Sequence, residues 1–104
     1  MAVVSMMKMS GDSDELVAKM REHISPIARE IAPGHGGLGS IVARTDDGIM
    51  VINLWENDEG RHKMAADPRI REALQAGGFP APAFEGYEVL DMTILPDAVR
   101  EGSS

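Results

Sequence analysis

Cysteine is absent from the chain, aromatic residues amount to one Trp, one Tyr and two Phe, and Lys plus Arg total 10 against 17 Asp plus Glu. Each shortage excludes something. Without cysteine there are no disulfides and no thiolate metal ligands. The formal charge of −7 opposes attraction to phosphate backbones and anionic lipid, so neither nucleic acid nor membrane is an expected partner. No stretch reaches the length needed to span a bilayer. Ala2 to Met9 is apolar but lacks a basic lead and a cleavage pattern before Asp12-Ser13-Asp14-Glu15, so it does not read as a signal peptide. A cytoplasmic protein is expected. Its 104 residues are one domain's worth.

What is present is concentrated in Met50 to Asn57, an alternating apolar run that ends in the only tryptophan and turns into a helix start. Val51, Asn53 and Trp55 share one strand face, and Met50, Ile52 and Leu54 share the other. Both faces are apolar enough to be wanted inside. An amide among such neighbours costs roughly 1–3 kcal/mol if unpaired, so Asn53 is either satisfied structurally or held for a ligand.

Val3 to Met9 reads as a first strand. Asp12 and Glu15 have capping-box spacing and open a helix whose stripe is Leu16, Val17, Met20, Ile24, Ile27 and Ile31. Pro26 predicts a kink or restart, and Pro33-Gly34 the end. Ser40 to Thr45 and Ile49 to Trp55 read as an antiparallel hairpin through Asp46-Asp47-Gly48. Asn57 and Asp67-Pro68 cap two short helices that stop at Gly77-Gly78, and Phe79 to Ala83 reads as a linker. Tyr87 to Leu95 is the expected last strand. The order is a split βαβ: a ferredoxin-like α+β domain over residues 1–96, an antiparallel four-stranded sheet with helices on one face, then a polar tail at 97–104. The apolar second face predicts a homodimer with sheets packed face to face.

The run Val51-Ile52-Asn53-Leu54-Trp55-Glu56, the short helix after it, Ala66-Asp67-Pro68-Arg69 and the break at Pro33-Gly34 resemble the antibiotic biosynthesis monooxygenase family of dimeric α+β barrel proteins, over roughly residues 3–95. The resemblance implies an apolar pocket between helices and sheet in each protomer. It also implies, in many members, oxidation of a polycyclic phenol by oxygen with neither flavin nor metal. There are departures. Cofactor-free members place a polar residue, often Asn, four positions before the strand-end Trp, where this chain has Val51, with Asn53 one pleat closer. A common aromatic position is Arg61, and a common histidine position is Met64, with His62 displaced from both. The haem-degrading branch would need its tryptophan and histidine at Met64 and Leu74.

Candidate residues carry two readings each. Trp55 is a wall against a flat ligand or a core tryptophan. Asn53 donates to a phenolate or enolate oxygen, or bonds nearby backbone. His62 is a general base at a pocket mouth or a solvent-facing histidine. His35 reaches a ligand from the glycine loop or lies on the surface, and His23 is a boundary packing residue. Tyr87, Asp91 and Arg44 are further strand positions. Gly34-His35-Gly36-Gly37-Leu38-Gly39 matches G-x-G-x-x-G but leaves a helix for a strand, the reverse of a dinucleotide site, and reads instead as a mobile loop or lid. His23, His35 and His62 lack metal-ligand spacing, so no metal is expected. Seven methionines besides Met1 suit a deformable cavity or ordinary core filling.

The expectation is a cofactor-independent monooxygenase acting on an aromatic or phenolic substrate. His62 and Asn53 are its catalytic pair, and Trp55, Val51, Met64, Tyr87 and His35 its substrate contacts. A binding protein for a hydrophobic metabolite, or a cyclase or isomerase, would use the same pocket.

Overall fold

The computed structural model describes residues 1–79 and 83–93. Strand β1 (Val3–Ser10) leads into helix α1 (Ser13–Lys19), where the Asp12 carboxylate accepts from the Glu15 amide at 3.0 Å as the capping spacing predicts. Pro26 then acts as anticipated. Helix α2 (Ser25–Ile31) restarts with proline in its first turn, and a π-helical turn over Met20–Ile24 joins it to α1. Proline lacks the amide that would close the α-helical bond, and the wider turn absorbs the mismatch.

The helix ends later than Pro33-Gly34 suggests. A 3-10 turn over Ala32–His35 carries through both residues, and Gly36 closes it at φ 81, a left-handed conformation that glycine adopts without strain. Strand β2 (Gly37–Arg44) starts three residues before Ser40, with a bulge at Gly37 and Gly39. Strand β3 (Gly48–Trp55), helix α3 (Asp58–Ala66) and helix α4 (Pro68–Ala76) fall where expected, with Asn57 and Asp67 as caps.

Strand β4 (Ala83–Glu88) corrects the reading of Tyr87 to Leu95. It pairs with β1 from Ala83 opposite Lys8 to Glu88 opposite Val3. Beyond Val89, whose amide reaches the Ala2 carbonyl, β1 has no residues left to pair. The alternation at 89–93 therefore has no ladder to join. The proline-flanked linker at 80–82, and everything from 94 through the polar tail, lie outside the described residues.

The strand order is β2-β3-β1-β4, antiparallel throughout, the ferredoxin-like sheet that the element order predicts. Val3, Ser5, Met7 and Met9 of β1 and Ile49, Val51, Asn53 and Trp55 of β3 share the helix-covered face. The interior divides into two clusters. One holds Met7, Met9, Leu16, Met20, Ile49 and Val51; the other holds Ile31, Trp55 and Met64. Methionine thus supplies much of the core. The opposite face carries Val4, Met6, Met50, Ile52 and Leu54, all half-buried, and Ile41, which is 62% exposed.

Candidate functional site

Asn53 stands at the seam between the two core clusters, since Val51 belongs to one and Trp55 to the other. Its register partners are Ser5 on β1 and Ser40 on β2, which makes a polar row across an otherwise apolar sheet face. Asn53 is half-buried; no side-chain hydrogen bond among the described residues engages its amide, whose polar atoms are therefore open to solvent. Ser5 is spoken for. It is 1% exposed and accepts from the Trp55 indole N–H at 3.0 Å.

Beside this row, β2 is largely uncovered, with Leu38 to Val42 exposed. A hollow of about 600 Å³ lies between β2 and the α1–α2 helical segment. Its apolar side is formed by Val17, Met20, Val42 and Ile49, and Val42 follows Ser40 on the same strand face. The volume is within the usual range for small-molecule sites. A second hollow, about 520 Å³, lies near Met1 between β4 and α3, and is bounded by Asn57, Asp58, Arg61, Tyr87 and Glu88, so Tyr87 is the one predicted substrate contact that lines it. Arg61 lies across Gly86, where an added Cβ would stand 2.9 Å from the guanidinium carbon.

The candidate residues do not gather around one cavity. Trp55, 6% exposed, is packed with Ile31 and Met64, and its only polar atom is bonded to Ser5. Val51 and Met64 are core residues of separate clusters. His62 is on the outer side of α3, because Gly60 and Met64 are the residues that helix buries. Its side chain is 65% exposed and its Nε2 lies 3.1 Å from Asp58 Oδ2. The Asp58 carboxyl is held below the usual carboxylate value, chiefly by its hydrogen bond from Arg61 and also by His62. Tyr87 pairs with Val4 and so projects from the opposite sheet face, where its hydroxyl donates to Glu85 at 2.8 Å, a bond that raises the phenol pKa. It cannot share a pocket with Asn53 inside one chain.

His35 is tied rather than mobile. Its Nε2 lies 3.1 Å from Asp67 Oδ2, and its carbonyl packs so closely on Gly60 that a Cβ there would collide with it. The Gly36 carbonyl accepts from the Glu56 amide at 2.8 Å, so the glycine segment is fastened to the end of β3 and is no free lid. Asp67 is held far below the usual carboxylate range, first by the Arg69 side chain, then by the Arg69 amide and His35. His23 is half-buried near Glu22, Arg44 pairs with Asp14, and Asp91 is exposed. Among the described residues no three His, Asp or Glu side chains could jointly hold a metal ion, and no helix is long and apolar enough to cross a membrane.

Sequence reasoning overlooked Ser5, and it overlooked Arg21 and Arg29, which line the hollow beside β2. Ser5 had a signal: it is the one polar residue among Val3, Met7 and Met9, and a buried indole N–H requires an acceptor.

This topology and one-sided helix layer are the ferredoxin-like fold, shared with solved structures described as antibiotic biosynthesis monooxygenases, among them one from Chloroflexus aurantiacus, similar at TM-score 0.62 and 20% identity over 89% of this chain and 97% of that one. Among solved structures, a monooxygenase from the ActVA-Orf6 gene of Streptomyces coelicolor, in complex with nanaomycin D, is similar at TM-score 0.62 and 19% identity, over 90% of this chain and 91% of that one. SnoaB, a cofactor-independent oxygenase from Streptomyces nogalater, is similar at 0.61 and 11%, over 88% and 93%. A dimeric ferredoxin-like protein from an uncultured marine organism is similar at 0.63 and 13%, over 90% and 91%. Identities this low carry the fold and not the chemistry. No family model matches the chain, and no curated protein is similar to it in sequence.

Proposed function

We propose that this protein is a cofactor-independent monooxygenase that oxidises an aromatic, phenolic, polyketide-like molecule, and that it works as a cytoplasmic homodimer. The observation that carries the reading is the unengaged Asn53 amide on the helix side of the sheet; it does not itself line the groove along β2, whose lining begins at Val42, the next residue on that face after Asn53's partner Ser40. An amide donor beside an apolar wall favours the ionised form of a bound phenol. The anion is electron-rich enough to react with dioxygen directly. One oxygen atom stays on the ring carbon, and the other leaves as water with two hydrogens from the substrate. Val51 and Trp55 flank Asn53 along β3, with Met64 behind the indole. No histidine lines the groove, so the phenolic proton passes to solvent, and His62 serves as base only for a ligand that extends to α3. SnoaB and the ActVA-Orf6 protein, on the same fold, support this chemistry by their descriptions.

The homodimer rests on the second sheet face. In a single chain Val4, Met6, Met50, Ile52 and Leu54 there are only half-buried and Ile41 is exposed, an apolar surface that a second copy would cover. The marine ferredoxin-like protein of the same fold is itself dimeric, which supports a dimer here.

A second reading is a binding protein for a hydrophobic metabolite. The outward placement of His62 favours it, because a binder needs no base. Replacing Asn53 with Ala separates the two. An oxygenase loses kcat by about 100-fold, the scale of one oxyanion donor, while KM changes little. If the variant oxidises anthrone-type or hydroquinone substrates as fast as the parent, Asn53 has no part in the chemistry.

A further inference from the structure

The groove along β2 differs in charge from the rest of the chain. Arg21, Ser25 and Arg29 follow one another at four-residue spacing, so the α1–α2 segment brings them to the same hollow that Arg44 borders from β2. Three of the 10 basic residues of a chain with formal charge −7 thus meet at one cavity. The only carboxylate that lines it is Asp14, and Asp14 is paired with Arg44 at 2.8 Å. Arg21 and Arg29 form no ion pair among the described residues. Two exposed guanidinium groups therefore remain beside an apolar surface of Val17, Met20, Val42 and Ile49.

We infer that this groove takes its ligand by a carboxylate, held by Arg21 and Arg29, with an aromatic body laid over the apolar side. This rests on the monooxygenase reading for the aromatic body, and adds to it the anionic handle by which the substrate is oriented. Guanidinium suits a carboxylate because its planar donors match the two oxygens. A bare inorganic anion would leave the apolar wall unused. A neutral hydrocarbon would leave both charges uncompensated. Only a molecule with both parts uses the whole hollow, and orientation by the carboxylate sets which ring edge points along β2 from Val42 toward Ser40 and its partner Asn53.

The test uses 1-hydroxy-2-naphthoate and its carboxamide as fluorescent probes titrated against the full chain. The carboxylate binds saturably, and the carboxamide binds at least about tenfold more weakly, the scale of one charge-assisted hydrogen-bonded pair. Arg29→Gln and Arg21→Gln each weaken the carboxylate by about the same factor and leave carboxamide affinity unchanged. Both sites are exposed helix positions, and an unchanged circular dichroism spectrum checks that the variants fold. No saturable binding, equal binding of the two probes, or variants that retain full affinity would each overturn the inference. Carboxylate binding that depends on both arginines but without oxygen consumption overturns the monooxygenase reading and leaves the arginine clamp standing. Oxygen consumption with acid and amide at equal efficiency does the reverse.

Discussion

The Ser5–Trp55 hydrogen bond gives the sharpest test of what the only tryptophan does. Ser5 is 1% exposed, Trp55 is 6% exposed, and the donor–acceptor distance is 3.0 Å. Ser5→Ala strands the indole N–H in the interior, which costs roughly 1–3 kcal/mol. In a domain of this size that lowers Tm by roughly 4–8 °C for each kcal/mol. Trp55→Phe removes the donor and also leaves a void beside Ile31 and Met64, so its single-variant cost mixes two effects. The double variant separates them. Once the donor is gone, Ser5→Ala has no N–H to strand, and the two changes together cost less than their sum by about 1 kcal/mol. Urea denaturation followed by circular dichroism measures all four proteins, at one fixed protein concentration because a dimer's stability depends on it. Fluorescence will not serve, since Trp55 is the only tryptophan. An unaffected Ser5→Ala protein, or strictly additive variants, would refute the assignment of Trp55 as a structural strut.

Two further outcomes follow from the same geometry. The Asp67 carboxyl is held below its ordinary value of 3.8, so its stabilising effect is complete above that pH and is lost as pH falls toward the folded-state value. Asp67→Asn keeps a capping side chain but removes the charge, so the parent is more stable at neutral pH and the gap closes on acidification; a gap that is constant with pH contradicts this. Ile52 is flanked by Met6 and Ile41 on the second sheet face. Ile52→Lys places a charge in the proposed interface and yields a folded monomer by analytical ultracentrifugation, whereas a dimer that survives the change, or a monomeric parent, removes the sheet-to-sheet model.

Much of the fold was legible in the sequence because its signals are local. Asp12, Asn57 and Asp67 are caps whose side-chain bonds lie within three residues, and Pro26 marks the restart by lacking an amide. The errors came where a distant partner decides. β4 stops at Glu88 because β1 begins at Val3, and nothing between Tyr87 and Leu95 records that. Likewise Gly34 to Gly39 has the composition of a mobile loop, yet His35 and Gly36 are fastened by Asp67 and Glu56.

The site was harder to read than the fold. Asn53 was recognisable as an amide on an apolar face, and it is indeed half-buried there. Tyr87 could be assigned a side of the sheet only from its register with Val4. The orientation of His62 follows from which side of α3 is buried, and in a short helix with few apolar residues that side is set by Met64 against Trp55 and Ile31, a contact between distant segments. Arg21 and Arg29 lie opposite the apolar stripe of Leu16, Val17, Met20, Ile24, Ile27 and Ile31, where an amphipathic helix ordinarily meets solvent. They border a hollow because β2 extends past the helix layer and leaves space beside it.

The most direct measurement of the central claim is incorporation of labelled dioxygen. Protein stripped of metal and flavin is given an anthrone-type substrate under isotopically labelled oxygen, and the product is analysed by mass spectrometry. Enzyme-dependent appearance of one labelled oxygen atom in the product, with the other in water, is the predicted result. A product that takes up no label, or label uptake no faster than in the protein-free control, would contradict it.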